Sequence, residues 1–198
     1  MRIVVDWDGT VTEEDTLHVA LERFGDREIY HRTEAELGRR LTLHEVIGIE
    51  MATITATLEE VVAYLLDTVA LRAGFADLVA SRDVLVLSAG FHELIAPLLD
   101  RERLRPRVLA NRIEALPAGW RAIWRDEEPC DVCGEPCKRG AVAGLGPFVF
   151  VGDGSVTDRC VSLAAARVFA RDGLAAYLAA EDVPFEPFDD FHDLARAL

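Results

Sequence analysis

The chain has 198 residues, of which 51% are hydrophobic and 28% are charged. It is long and apolar enough to bury a core, which excludes a disordered or fibrous protein. Because 35 acidic residues outnumber 21 basic ones and give a net charge of -14, nucleic acids and acidic membranes are unfavourable partners. No apolar run is long enough for a signal peptide or a membrane span, so we expect a cytoplasmic protein.

Three short apolar runs, each followed by polar residues, predict buried strands of a parallel sheet at residues 3–5, 84–87 and 148–151. Segments with helical spacing lie between or after them, at residues 17–24, 58–71, 91–99, 158–166 and 174–180. This alternation predicts an α/β fold with a doubly wound parallel sheet. The carboxyl ends of the three strands would then bring Asp6, Ser88 and Asp153 to one site.

Residues 13–72 interrupt the alternation, because they are mostly compatible with helix and contain no clear strand. We expect a small helical cap there, inserted after the first strand, with residues 1–12 and 73–198 forming the core. A cap in this position could exclude water from a bound ligand, or it could be only a second packing layer. Further on, residues 108–124 predict a hairpin in which Trp120 and Trp124 are packing anchors.

The acidic residues that follow the first and third predicted strands are candidate metal ligands. Asp6 and Asp8 are separated by one residue, and two carboxylates this close require a cation or a shared proton. Asp153 and Asp158 bring further oxygen ligands, and the absence of histidine from both segments favours Mg²⁺. Each aspartate taken singly could instead cap a turn or a helix.

Ser88 and Lys138 are candidate ligands for an anion. Ser88 lies at a predicted strand-to-helix turn, where its hydroxyl and nearby backbone N–H groups such as that of Ala89 can bind an anion. Lys138 is the only lysine in the chain, and its compact ammonium group differs from the guanidinium fork of arginine. Carboxylates, a hydroxyl, a lysine and a metal together suit phosphoryl transfer.

In this order along the chain, the segment Asp6-Trp7-Asp8-Gly9-Thr10, then Ser88, Lys138 and residues 152–158 resemble the four motifs of the haloacid dehalogenase superfamily. The helical insertion resembles the small cap of its phosphoserine phosphatase-like branch. The resemblance implies a Rossmann-type core and a Mg²⁺-dependent phosphomonoesterase acting on a small-molecule phosphate ester.

The resemblance also implies a role for each of these residues. Asp6 would be the nucleophile that forms a phosphoaspartyl intermediate, and Asp8 would be the general acid and base. Mg²⁺ would be held by the Asp6 and Asp153 carboxylates and the backbone carbonyl of Asp8, while Asp158 steadies the metal site. The phosphoryl oxygens would be bound by Ser88, Ala89 and Lys138.

Other members of the superfamily, and one other class of protein, use a similar set of residues. Asp8 argues against the haloacid dehalogenases proper, and the lysine-free cap argues against phosphonatases, whereas a phosphomutase stays open. A phosphoacceptor signalling domain uses similar groups. However, its first acids are adjacent in sequence, and it carries no cap insertion of roughly 60 residues.

The substrate is indicated by weaker similarities. Residues 43–48, 65–69 and 72–75 resemble the methionine-salvage branch, which acts on 2-hydroxy-3-keto-5-methylthiopentenyl-1-phosphate. Residues 110–112 resemble phosphoserine phosphatase instead, but residues 41–58 contain no arginine to bind a serine carboxylate. Another small phosphomonoester remains an alternative. Candidate specificity residues, each of which could instead serve only cap packing or the cap surface, are Asp15, His18, Phe24, His44 and Glu45.

Two features leave ligand assignments open. Four residues separate Asp153 from Asp158, a longer spacing than is usual in the phosphoserine phosphatase-like branch, and this makes the role of Asp158 less defined than that of Asp153. Cys130, Cys133 and Cys137 offer three soft ligands for a structural Zn²⁺, with Cys160 or His31 as a conceivable fourth. Without a metal they would be reduced thiols in a loop.

Overall fold

The computed structural model describes residues 1–198. Seven strands are present: β1 Arg2–Val5, β2 Val84–Phe91, β3 Arg107–Glu114, β4 Arg121–Ile123, β5 Phe148–Gly152, β6 Arg167–Ala170 and β7 Glu186–Pro187. They form one sheet in the order β4-β3-β2-β1-β5-β6-β7. All neighbouring strands are parallel except β3 and β4, which are antiparallel.

Nine α-helices surround the sheet: α1 Thr16–Phe24, α2 Arg27–Glu34, α3 Leu43–Met51, α4 Leu58–Thr68, α5 Phe75–Ser81, α6 His92–Arg101, α7 Arg159–Ser162, α8 Asp172–Ala180 and α9 Phe191–Ala197. A 3-10 helix covers Lys138–Val142. No helix combines the length and the hydropathy that a membrane crossing requires.

The central strand β1 is buried on both faces, which explains its uninterrupted apolar sequence. Ile3 and Val5 face the larger hydrophobic core, which includes residues of α1, α6 and α9. Val4 points to the opposite face, where α7 and α8 contribute Val161 and Leu174. Helices therefore cover both sides of the sheet, and the predicted doubly wound α/β fold is confirmed.

The first four helices all lie between β1 and β2. Two of them begin with complete capping boxes, Thr42 with Glu45 at α3 and Thr57 with Glu60 at α4, which satisfy backbone N–H groups that a helix start leaves free. The segment leaves and rejoins the core at one place, since Arg72 N–H donates to the Val11 carbonyl at 2.7 Å. We therefore propose residues 13–72 as the cap.

Several predicted elements have different bounds in the structure. The second strand continues to Phe91, so α6 begins at His92, and the helix predicted at 158–166 is only the single turn of α7. This helix is short because the chain must reach the neighbouring strand at once: the N–H of Ala166 already donates to the Phe148 carbonyl. The predicted hairpin is present as β3 and β4, with Trp120 buried.

Candidate active site

The first two predicted acids emerge where β1 ends. Asp6 N–H still donates to the Val151 carbonyl at 2.9 Å, and the chain then turns at Gly9, whose φ is +74°. A Cβ atom at this glycine would lie 2.4 Å from Asp153 Oδ2, so only glycine allows the turn and the acid to approach so closely. Arg72 supports the turn by donating to the Gly9 carbonyl at 2.9 Å.

Lys138 lies at the centre of the acidic residues. Its Nζ is 2.5 Å from Asp6 Oδ1 and 2.7 Å from Asp158 Oδ1, and the lysine is only 3% exposed. Asp158 also accepts hydrogen bonds from the backbone N–H groups of Asp153 and Gly154, at 3.2 and 3.0 Å. Both Asp158 oxygens therefore accept hydrogen bonds from groups of the protein. The single positive charge of Lys138 faces two carboxylates, Asp6 and Asp158.

A third carboxylate completes the group. Asp153 accepts a hydrogen bond from Thr10 Oγ1 at 2.6 Å, and oxygens of Asp6, Asp153 and Asp158 lie within 4.8 Å of one another. Burial, and next the charge of Asp158, raise the pKa of Asp6 well above its usual value, and burial also raises the pKa of Asp153 to about 6. Three carboxylates facing one lysine fit a hard divalent cation, which would favour their ionised forms.

Asp8 is held on the other side of this group by the start of α1. Thr16 donates to Asp8 Oδ1 from its backbone N–H at 2.8 Å and from its hydroxyl at 2.5 Å. Burial, assisted by the charge of Asp15, raises the pKa of Asp8 to about 7 against these hydrogen bonds. A carboxyl group that titrates near neutrality is suited to give and take protons.

Ser88 lies within β2, not in a turn after it as the sequence predicted. The pairing of β2 with β3 shifts register between Leu87 and Phe91, and this irregular end of the strand aims the Ser88 hydroxyl at Asp8 Oδ2, 3.4 Å away. The backbone N–H of Gly90 donates to Ser88 Oγ at 2.8 Å. Ala89 and Gly90 both line the cavity above Asp6 and Asp8.

This cavity has a volume of about 230 Å³ and lies between the strand ends and the helical segment. Of the candidate specificity residues, Asp15 and His18 line it. His44 lines the adjoining pocket that contains Ser88 and Ala89, and its ring stacks on Trp124 with centroids 3.8 Å apart.

Two candidate specificity residues do not reach the cavity. Phe24 packs edge-on against Tyr64, with centroids 5.6 Å apart, because the apolar side of α1 there faces α4. Glu45 is exposed and closes the capping box of α3 through the N–H of Thr42 at 2.8 Å. Both residues lie outside the cavity lining and serve the structure of the cap, which is the alternative that the sequence left open for them.

Several polar residues of the cavity were not predicted from the sequence. Tyr30, Glu34 and Glu50 line it, and the Tyr30 hydroxyl lies 2.6 Å from His18 Nδ1. Glu50 is 2% exposed, and its position between apolar neighbours in α3, Ile49 and Met51, is the one sequence signal that could have indicated a buried acid. Its contact with the cavity depends on how α3 packs.

The cysteines predicted as a cluster lie beside this site and outside the cavity. Cys130, Cys133 and Cys137 are brought together with Cys160 of α7. His31, the other conceivable fourth ligand, is exposed on α2 and is not part of this group.

Residues 3–162 match the family model described as haloacid dehalogenase-like hydrolase. The match spans most of the chain, and the protein belongs to this family.

Curated relatives and solved structures are also similar to this chain. A 2-hydroxy-3-keto-5-methylthiopentenyl-1-phosphate phosphatase of Geobacillus thermodenitrificans is 29% identical over 98% of this chain and 93% of its own length. The enzyme of the same name from an Exiguobacterium species is 26% identical over 98% and 95%. In fold, the chain is similar to a phosphoserine phosphatase solved as a phospho-aspartyl intermediate analogue, with a TM-score of 0.72 at 16% identity over 100% and 98% of the two chains.

These findings confirm the predictions of a haloacid dehalogenase-type fold and of an enzyme of the phosphatase type. The alternative of a phosphoacceptor signalling domain gains no support from a match to a hydrolase family.

Proposed function

We propose that this protein is a Mg²⁺-dependent phosphomonoesterase that works through a phosphoaspartyl intermediate on Asp6. The observation that carries the proposal is the buried group in which Lys138 bridges Asp6 and Asp158, next to Asp153 and under a cavity. Such a group neutralises and orients a phosphoryl group, which is the main task in phosphoryl transfer.

Asp6 and Asp8 divide the chemical work. A carboxylate oxygen of Asp6 attacks phosphorus in line, so that a new P–O bond forms as the ester P–O bond breaks. Asp8 gives its proton to the leaving alkoxide and later takes one from the water that hydrolyses the acyl phosphate. Thr16 occupies Asp8 Oδ1 with two hydrogen bonds, which leaves Oδ2, on the side of Ser88, for proton transfer.

The surrounding residues hold the phosphate and its cation. A bound Mg²⁺ would neutralise charge on the phosphoryl oxygens, held by the Asp6 and Asp153 carboxylates and the backbone carbonyl of Asp8. Lys138, Ser88 and the N–H of Ala89 would bind the remaining phosphoryl oxygens. Since both Asp158 oxygens already accept hydrogen bonds, we assign Asp158 to positioning Lys138 and the loop that carries Asp153.

The lining of the cavity favours a substrate without a carboxylate. Lys138 is the only lysine or arginine among its lining residues, and the cap side presents Asp15, Glu34 and Glu50, which would repel the carboxylate of phosphoserine. These acids and Tyr30 can instead hydrogen-bond hydroxyl groups, and the apolar lining residues can contact a thioether chain. On the cap side, these apolar residues are Leu17, Leu21, Leu43 and Ile47.

We therefore propose a substrate of the 2-hydroxy-3-keto-5-methylthiopentenyl-1-phosphate type, in agreement with the names of the curated relatives. Phosphoserine and other small phosphomonoesters are the alternatives. A cytoplasmic location is part of the proposal, because all four cysteines are free thiols, the usual state in a reducing compartment.

The test is phosphate release with Mg²⁺ from a panel of esters: the methylthio substrate, phosphoserine, and an aminoalkyl phosphate that carries a cation but no carboxylate. We expect the highest kcat/KM for the methylthio substrate and the lowest for phosphoserine. A preference for phosphoserine would overturn the substrate assignment, and a preference for the aminoalkyl phosphate would mean that the acids of the cap bind a cation.

Asp6→Asn tests the mechanism. This variant should lose at least about 10³-fold in kcat, because the nucleophile is removed. Asp67→Asn is the matched control: it makes the same change at an exposed residue of α4 and should leave kcat unaltered. Near-normal turnover by Asp6→Asn would contradict the covalent mechanism.

A further inference from the structure

The four cysteines of the chain converge on one point although they come from two distant segments. Cys130, Cys133 and Cys137 lie in the loop before the 3-10 helix, and Cys160 lies in α7. Their four sulfur atoms are all within 4.8 Å of one another, and none forms a disulfide. We propose that this cysteine cluster is a structural zinc site with four thiolate ligands.

The spacing of the sulfur atoms suits a tetrahedral ion. Zinc–sulfur bonds of about 2.3 Å at tetrahedral angles separate the sulfurs by about 3.8 Å. The present separations, up to 4.8 Å, therefore need to contract by about 1 Å or less. Four sulfur ligands select zinc over the hard cation expected at the carboxylates, so the two sites would take different metals.

The turn that carries Cys130 and Cys133 is shaped to present both sulfurs on one side. The N–H of Gly134 donates to the Cys130 carbonyl at 2.8 Å, and Gly134 has a φ of +77°, which favours glycine. The N–H of Val132 points at Cys130 Sγ, 3.4 Å away. Backbone N–H groups directed at a sulfur stabilise the thiolate form, which is the form that binds zinc.

Positive charge is available next to the cluster. Zn²⁺ with four thiolates would carry two negative charges, and Arg159 immediately precedes Cys160 in α7. Arg139 donates to the Cys160 carbonyl at 2.9 Å. Because Cys160 is only 2% exposed, these neighbouring charges would reduce the cost of placing a charged centre at this depth.

The location of the cluster indicates what the zinc would do. Cys137 immediately precedes Lys138, and Cys160 follows Asp158 by two residues, so the ion would join the two chain segments that form the Lys138–Asp158 ion pair. The chain between β4 and the 3-10 helix contains no helix or strand. Zinc would therefore supply the rigidity that regular structure does not, and fix the loop that carries Lys138.

The decisive measurement is the metal content of the intact protein, purified from zinc-supplemented cells without chelators and then dialysed against excess Mg²⁺ to displace zinc from the carboxylates. We expect about one zinc per chain by mass spectrometry. Co²⁺ in place of zinc should give the intense visible and near-ultraviolet bands of a tetrahedral tetrathiolate site, which oxygen ligands do not produce.

Variants identify the fourth ligand. Cys160→Ser and Cys133→Ser should each lower zinc content and weaken the cobalt bands, and His31→Ala, the matched control, should retain both. Removal of zinc should lower the thermal midpoint of the wild-type protein, with no recovery on adding Mg²⁺. If the serine variants do not fold, the wild-type zinc content and cobalt spectrum still decide the question.

Three results would overturn the proposal. They are wild-type protein without zinc and without tetrathiolate bands, disulfides among the four cysteines under reducing purification, or zinc retained in Cys160→Ser but lost in His31→Ala. None of these measurements involves phosphate release, so a failure here leaves the proposed phosphatase function intact.

Discussion

Glu50→Gln should make this protein more stable at neutral and alkaline pH. Glu50 is 2% exposed, and Thr33 Oγ1 donates to its Oε1 at 2.7 Å. Burial, with a smaller contribution from the charge of Glu34 and against the Thr33 hydrogen bond, raises the pKa of Glu50 from 4.5 to about 7. The amide of glutamine keeps an oxygen acceptor for Thr33 and carries no charge that burial would penalise.

Proton binding by Glu50 determines how the stability of the wild-type protein changes with pH. Between pH 4.5 and 7 the folded protein holds a proton on Glu50 that the unfolded chain has released, so stability falls as pH rises through this window. The full shift corresponds to about 3 kcal/mol. Because the side chain borders a cavity that water can enter, we expect about 1–2 kcal/mol, or roughly 3–6 °C in Tm.

The assay is urea unfolding followed by tryptophan fluorescence, since Trp7 and Trp120 are buried. Glu50→Gln should match the wild-type protein at about pH 4 and exceed it at about pH 8. Glu60→Gln is a control of opposite sign, because the hydrogen bonds from Thr57 lower the pKa of Glu60; it should not gain stability on raising the pH. An equal gain for Glu50→Gln at both pH values, or none at the higher one, would refute the reasoning.

Three further outcomes test the proposed active site. Asp8→Asn should lower kcat by about 10²–10⁴-fold, since an amide cannot exchange the proton, and rates close to wild type in steady-state assays would exclude Asp8 as the acid and base. Thr10→Val removes the hydrogen bond to Asp153 and should raise the Mg²⁺ concentration for half-maximal activity by about 10- to 100-fold, whereas Ser155→Ala, at an exposed neighbour of Asp153, should not. EDTA should abolish turnover and added Mg²⁺ restore it; turnover without metal would contradict the assignment of the carboxylates.

The sequence predicted those parts of the fold and of the site that depend only on local residue chemistry and on the order of the strands. Apolar runs ending in acids predicted the central strands β1 and β5 and the acids Asp6 and Asp153 at their ends. The rule that parallel strands present ligands at their carboxyl ends then brought these residues and Ser88 to one edge. The strands β6 and β7, which lie beyond β5 in the sheet, were not predicted. The strand β7 has only two residues, too few for a recognisable periodicity.

Only the tertiary structure decided which segments contact each other when neither segment's sequence indicates its partner. Phe24 and Glu45 face away from the cavity and Glu50 faces it. The reason is that the rotation of each cap helix about its own axis depends on the element against which it packs. Cys160 joined the other three cysteines for a similar reason. The residues around Cys160 do not show the spacing of a metal-binding motif. The helix α7 comes close to the loop that precedes Lys138 only once the sheet has assembled.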